Sequence, residues 1–338
     1  MRLLKKLKVP TGEIYTAQGD KKILEFLSVG DYGKNANIKA DFLGITRELN
    51  GVPNGNVLSL SEKWVITIST QYGCSMNCKF CDVPKVGRGL NVTVQDLNNQ
   101  IICAILNNFE NCKKTKRLNI HYARMGEPTF NPSVLTQAGN LKNLLKKYID
   151  TEVIHPVIST MLPRNNRNLS SFLTNWVSLK NKNYNGDAGL QFSINSTDEF
   201  QREEMFSNNS LSLDEISLIG GNLAMPKGRK YALNFALADN YIIDASKLVK
   251  LFHPDKFMVK ITPLHKTRSC EDNNLITTQG YEAFTPYKEI EENLKKVGFD
   301  VIVFVPSYDE DLGLITCGNA ILSGSKPHKY IETNYSKE

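Results

Sequence analysis

Val65-Ile66-Thr67-Ile68-Ser69 reads as a strand, and Gly73-Cys74-Ser75-Met76-Asn77-Cys78-Lys79-Phe80-Cys81 follows closely behind it. The first run is rich in β-branched residues, which suit a pleated, buried surface. The second concentrates thiols in a loop at that strand's C-terminal end. From there the chain alternates. Thr93 can cap a helix over Val94–Asn107 with Leu97, Ile101 and Ile105 on one face. Strands follow at Leu118–Tyr122, Val153–Ser159, Gly189–Ile194, Tyr231–Leu237, Phe257–Thr262 and Val301–Val305. Helices separate them at Ser133–Ile149, Leu169–Leu179, Asp198–Phe206, Ser212–Leu223, Ala245–Phe252 and Tyr287–Lys296.

Strands that alternate with helices run parallel and are joined by right-handed crossovers. Two architectures satisfy this pattern: a TIM-like α/β barrel and an open doubly wound sheet. In both, function sits on the loops after the strands' C-terminal ends. The cysteine loop, Met125-Gly126-Glu127-Pro128, Ser159-Thr160, Ser193-Ile194-Asn195 and His265 all fall on that predicted rim. Before residue 60 the pattern is weaker, with short mixed runs over Glu13–Gly51 and a loop signal at Asn50–Asn56. This implies a small N-terminal module over 1–60, a barrel with its C-terminal extension over 61–325, and a tail over 326–338.

The 338 residues are 41% hydrophobic and 22% charged, which excludes a disordered or collagen-like chain. Apolar runs such as Val301–Pro306 are far short of the roughly 18 residues that span a bilayer. Pro10, Thr11 and Gly12 fall where a signal peptide needs its apolar stretch, so a cytoplasmic protein with no membrane partner is expected. A net charge of +6 permits a polyanionic partner without demanding one.

There are seven cysteines: Cys74, Cys78, Cys81, Cys103, Cys112, Cys270 and Cys317. An odd number with three bunched in one loop points to metal or redox chemistry, not to a disulfide framework. Structural zinc takes four ligands, often as paired Cys-x2-Cys knuckles, and no second knuckle exists here. Three thiolates instead suit a 4Fe-4S cluster with one iron left open. A zinc-stapled loop is the alternative.

The spacing Cys-x3-Cys-x2-Cys resembles that of the radical S-adenosylmethionine (SAM) superfamily. The likeness continues through Gln71–Cys81, Lys85–Thr93, Met125-Gly126-Glu127-Pro128-Thr129-Phe130-Asn131, Ile158-Ser159-Thr160 and Ser193-Ile194-Asn195. With the tail Tyr308–Gly318, containing Cys317-Gly318, these segments resemble the RlmN/Cfr family of radical SAM methyl synthases over roughly 64–322. The resemblance implies a partial (β/α)6 barrel. It implies that Cys74, Cys78 and Cys81 hold the cluster, and that Phe80, Gly126, Glu127, Ser159, Ser193, Asn195 and His265 contact SAM. It also implies a flavodoxin-like or other low-potential reductant. Cys317 would be the catalytic residue, methylated by one SAM and then activated by a radical from a second, with the methylene passed to an adenine-type carbon of RNA or a nucleotide.

The chain departs from that pattern. Asn195 stands where the family has histidine, and His265 where it has asparagine. Thr67 replaces the second cysteine that resolves the covalent adduct, and a thiol is needed for disulfide exchange. Cys270 is the candidate substitute. Lys5, Lys6, Lys8, Lys21, Lys22, Lys34 and Lys39 make the N-terminal region basic, and Arg164, Arg167, Arg202, Arg229 and Lys230 are read as basic loops near or around the rim; together they make RNA plausible without choosing it over a smaller substrate. Two rival functions remain: a radical SAM enzyme with a non-methylating or differently resolved reaction, and a metal-stapled nucleic-acid-binding protein without catalysis.

Overall fold

The computed structural model describes residues 1–30, 59–276, 285–304 and 308–335. The Asn50–Asn56 loop, Lys34, Lys39, Val305 and the last three residues of the tail lie outside them.

The strands are β1 (Arg2–Val9), β2 (Gly12–Gln18), β3 (Ile23–Gly30), β4 (Trp64–Ile68), β5 (Gln71–Tyr72), β6 (Leu90–Asn91), β7 (Lys114–Tyr122), β8 (Asp150–Thr160), β9 (Gly189–Ser193), β10 (Tyr231–Leu237), β11 (Phe257–Pro263), β12 (Val301–Val303) and β13 (Ile331–Asn334). The helices are α1 (Val94–Asn107), α2 (Ser133–Leu145), α3 (Leu169–Asn183), α4 (Glu199–Met205), α5 (Leu213–Asn222), α6 (Ala245–Leu251), α7 (Arg268–Asp272), α8 (Thr285–Lys296) and α9 (Tyr308–Leu312).

One 11-stranded sheet runs β12-β11-β10-β9-β8-β7-β4-β3-β2-β1-β13. From β4 to β12 the pairs are parallel. Their spatial order follows the chain with no reversal. A doubly wound sheet needs a reversal at its switch point, so the architecture is the partial barrel. The sheet curls, since one cavity is lined by residues of β8 through β12. No helix among the described residues is long and apolar enough to cross a membrane.

Alternation decides which side chains face the helices. Ile66, Ile68, Ile120, Tyr122, Ile158, Leu190 and Phe192 are buried in the main core with Leu97, Ile101, Leu141, Leu173 and Trp176 of α1–α3. Trp176 packs edge-on against Tyr122 at 5.9 Å and donates its indole N–H to Gly189 O at 3.0 Å. Thr93 caps α1 by accepting from Asp96 N, as its place before an apolar-periodic run predicts. The opposite parity, including Thr67, His121, Ser159, Gln191, Ser193 and Asn234, shares register along the barrel's inner face.

The N-terminal strands do not stand apart. β3 pairs antiparallel with β4, so the β1–β3 meander extends the barrel sheet. The stretch expected to be a bare tail contains β13, which pairs with β1 through Lys5↔Asn334 to Lys8↔Ile331.

Candidate functional site

The cysteine loop leaves β4 through Gly73, whose φ of +84° and close approach to Gly87 O exclude a side chain. Cys74 N then donates to Gly87 O at 2.9 Å. The far side of the loop is held by backbone carbonyls. Ser207 Oγ donates to Asn77 O, Asn209 Nδ2 to Met76 O, Lys79 N to Met205 O, and Thr267 Oγ1 to Phe80 O. Asp82, fully buried, accepts from Ser269 N and Oγ at 2.9 and 2.7 Å and from Lys85 Nζ at 3.3 Å. The conformation of the loop is therefore set by groups other than the thiols.

Cys74, Cys78 and Cys81 are free thiols that interact electrostatically with one another. Burial, reinforced by the nearby Glu127 carboxylate, pushes Cys74 up to about 11. Burial and then its neighbouring thiols push Cys78 and Cys81 well above the ordinary thiol value. Three thiolates gathered here need a positive soft centre to be stable. Among the described residues no three His, Cys, Asp or Glu side chains form a site for a single metal ion. A 4Fe-4S cluster asks for a different arrangement, with each thiolate on its own iron. The donor set fits that group. Met76, Met161 and Phe206 form an apolar bed under the loop, joined by Phe80 and Phe130, and Phe80 meets Phe206 edge-on at 6.1 Å.

Glu127 reaches this loop from the segment after β7. Gly126 has φ +96°, and a Cβ there would lie 2.5 Å from Gln71 Cβ. Glu127 N donates to Gln71 Oε1 at 3.0 Å. Its carboxylate is buried, accepting from Thr129 N and Oγ1 at 3.1 and 2.7 Å and from Met161 N at 3.1 Å. Burial raises its pKa, and these donors oppose the rise. Ser159 and Ser193 lie at the ends of β8 and β9 on the inner face, and no protein group among the described residues bonds either hydroxyl.

Asn195 turns inward. It sits at φ +62°, is 1% exposed, accepts from Ala236 N at 3.0 Å and directs Nδ2 at Met205 Sδ. Its amide is used in joining β9 to β10 and the Met205 bed. His265 lies 3.4 Å from Asp311 by Nδ1–Oδ1.

Cys317 is exposed, and its electrostatic influence reaches Cys81. Gly318 O accepts from Asp82 N at 2.8 Å, and a Cβ on Gly318 would lie 3.2 Å from Phe80 O. The Cys317 loop and the cluster loop therefore lie against each other. Two residues further on, Asn319 is buried with Oδ1 unpartnered. Cys270 is buried among Met205, Ala238 and Leu264, with its thiol 3.4 Å from His265 O. Burial raises its pKa, so it is a core thiol rather than a rim nucleophile. Thr67 is mid-strand on the inner face, opposite His121.

Three residues of this site were not singled out from the sequence alone. Gln71 seats Glu127, and Asp82 ties the loop to α7. Glu25 of β3 is the third. Buried, it accepts from Arg124 Nε at 2.8 Å and from Ile321 N and Leu322 N at 3.1 and 3.0 Å. The N-terminal strands thus brace both the Glu127 segment and the chain after Cys317. The basic residues are also redistributed. Arg202 is 1% exposed, donating to Ser210 Oγ and Leu211 O. Arg229 and Lys230 precede β10, at the opposite end of the barrel from the rim, where they pair with Asp187 at 2.8 Å and Asp300 at 2.6 Å. Lys5 pairs with Glu332 and Lys6 with Glu13.

No family model matches the chain. The fold resembles that of a radical SAM methyltransferase from Sphaerobacter thermophilus, with a TM-score of 0.62 at 15% identity, covering 94% of this chain and 81% of that one. The likeness to that structure is one of fold. In sequence the chain is similar over part of its length to several proteins named RlmN. It is 36% identical over 78 residues to the dual-specificity RNA methyltransferase RlmN of Helicobacter hepaticus, covering 23% of this chain and 21% of that protein. It is 23% identical over 266 residues to the RlmN of Sorangium cellulosum, covering 77% and 62%. A probable RlmN of Thermosipho melanesiensis is 25% identical over 203 residues, covering 59% and 54%. The chain spans about half the length, or less, of most of the curated relatives it matches.

Proposed function

We propose that this chain is a radical SAM methyl-transferring enzyme acting on RNA or a nucleotide, at an adenine-type carbon, in the cytoplasm with a low-potential reductant. The observation that carries the reading is the contact of two loops. Cys317 stands exposed beside the segment that bears Cys81, through the Gly318–Asp82 bond. Cys74, Cys78 and Cys81 would hold a 4Fe-4S cluster, which with SAM supplies reductive cleavage and a methyl group.

The chain's own part follows from position. Glu127 presents a buried carboxylate suited to an ammonium group, a charge-assisted contact. Ser159 and Ser193 offer unspent hydroxyls from adjacent strands. Phe80, with Met76, Met161 and Phe206 at its side, excludes water from the cysteine loop. Gly126 gives the close approach that seats Glu127, Asn195 holds the rim's backbone, and His265, paired with Asp311, would contact SAM. Cys317 carries the transferred carbon. Intact-mass and peptide analysis of the reconstituted protein turned over with SAM tests this: a methyl or substrate adduct on Cys317 is expected, and an unmodified Cys317 peptide rejects the carrier role.

A second reading keeps the radical chemistry and changes how the adduct is resolved. Thr67 supplies no thiol and Cys270 is buried, so neither offers Cys317 an exposed second thiol. An adduct that accumulates on Cys317 without release supports this reading over the first.

A further inference from the structure

Asp311, on the short helix α9, is a buried carboxylate, 5% exposed. It holds three partners. Thr316, the residue before Cys317, donates its hydroxyl to Oδ1 at 2.8 Å. Lys266 N donates to Oδ2 at 3.2 Å, and His265 Nδ1 is 3.4 Å from Oδ1. Two of these partners belong to the loop after β11, and one to the Cys317 loop. Thr316 is further held by Asn319 Nδ2 at 2.9 Å. The Asp311 backbone carbonyl accepts from Leu314 N, and His328 N donates to Leu312 O. A bare loop anchor would be satisfied by backbone donors at the surface. Burying a carboxylate is costly unless it is fully partnered, and here the partners span two sides of the rim.

We propose that Asp311 is a positioning residue that couples the Cys317 loop to the His265 side of the rim, so that a ligand seated at His265 sets where the Cys317 thiol stands. This rests on the proposed function, in which the ligand is SAM. The shared carboxylate is the physical link. A ligand that shifts the His265 imidazole alters its hold on Asp311, and the same oxygen holds Thr316. The coupling is energetic, and so it is reciprocal.

The test is alkylation of Cys317 by iodoacetamide, followed by peptide mass analysis on anaerobically reconstituted protein with and without SAM, alongside equilibrium dialysis of SAM. In the wild type, SAM is expected to change the Cys317 alkylation rate by about fivefold or more, within the usual range of coupling between sites. In Asp311→Ala the SAM effect is expected to fall below about twofold while SAM still binds. Asp311→Asn keeps an acceptor for Thr316 and removes the charge facing His265, so an intermediate effect is expected. His265→Gln probes the link from the other side and covers the case in which Asp311→Ala does not fold. An undiminished SAM effect in Asp311→Ala, or in Asp311→Asn and His265→Gln together, overturns the proposal. So does wild-type protein that binds SAM with no change at Cys317. Wild-type protein that does not bind SAM at all brings down the underlying functional reading, and the proposal with it.

Discussion

The two ends of the barrel are built from the same seven parallel strands and hold opposite kinds of charge arrangement. At the C-terminal rim, thiols gather with no cationic partner among the described residues, and buried carboxylates such as Glu127 and Asp311 are held by hydroxyls, backbone N–H groups and an imidazole. At the N-terminal mouth, Asp187 accepts from Arg117 at 3.1 Å and Arg229 at 2.8 Å, and Lys230 meets Asp300. These side chains line or adjoin a cavity of about 500 Å³. The mouth is electrostatically closed, with each sign answering the other. The rim is left open, with donors and acceptors set for groups that the chain does not itself supply. Chemistry follows the unanswered end. The contrast also shows that a basic residue before a strand and one after it carry different meanings.

The largest break in this comparison comes from Cys81→Ser. Iron content after reconstitution should fall to near background, because one of three thiolate anchors is gone. Glu25→Ala follows. It leaves Arg124 buried without its carboxylate, at a cost of about 3–5 kcal/mol in urea unfolding, and it should loosen Cys317 labelling as well. Glu127→Ala should weaken SAM binding by about 1.5–3 kcal/mol in equilibrium dialysis, the worth of a hydrogen bond to a charged group.

The next prediction concerns the barrel's inner face. Burial, then the positive charge of His155 and Lys260, lowers His121 to about 3, and burial lowers His155 despite Asp187. Below about pH 6.5 the unfolded chain takes up protons that the folded chain refuses, so this stability is complete above that pH and is lost as pH falls toward 3. For His121 the loss is about 1.4 kcal/mol per pH unit, read from urea midpoints across that range. A flat profile would contradict the burial. The smallest effect belongs to the mouth. Arg229 is 41% exposed, so Arg229→Ala should cost about 1 kcal/mol or less and leave iron content unchanged.

Much of this was legible from local pattern. Helix α1 spans Val94–Asn107 as its cap and apolar period indicate, and the parallel strands fall where β-branched runs predict. The choice between barrel and doubly wound sheet was not legible, because spatial strand order depends on which neighbour each strand finds. The Cys loop, Glu127 and Cys317 stood out because their residue types and spacing carry chemistry. Glu25, Asp82 and Asp311 did not, since an isolated acid reads as solvated until its long-range partners are known. Arg202 misled for the same reason, its partners being carbonyls and hydroxyls from other loops. For Arg229 and Lys230 the signal was present: they precede Tyr231–Leu237, and so belong to the opposite end.

The central claim is that Cys74, Cys78 and Cys81 hold a cluster that cleaves SAM. The direct measurement is iron and sulfide content after anaerobic reconstitution, followed by assay of 5′-deoxyadenosine with dithionite and SAM. The account predicts about four irons per chain, with 5′-deoxyadenosine formed by the wild type and absent from Cys81→Ser. A colourless chain holding one zinc, with no 5′-deoxyadenosine, would contradict it.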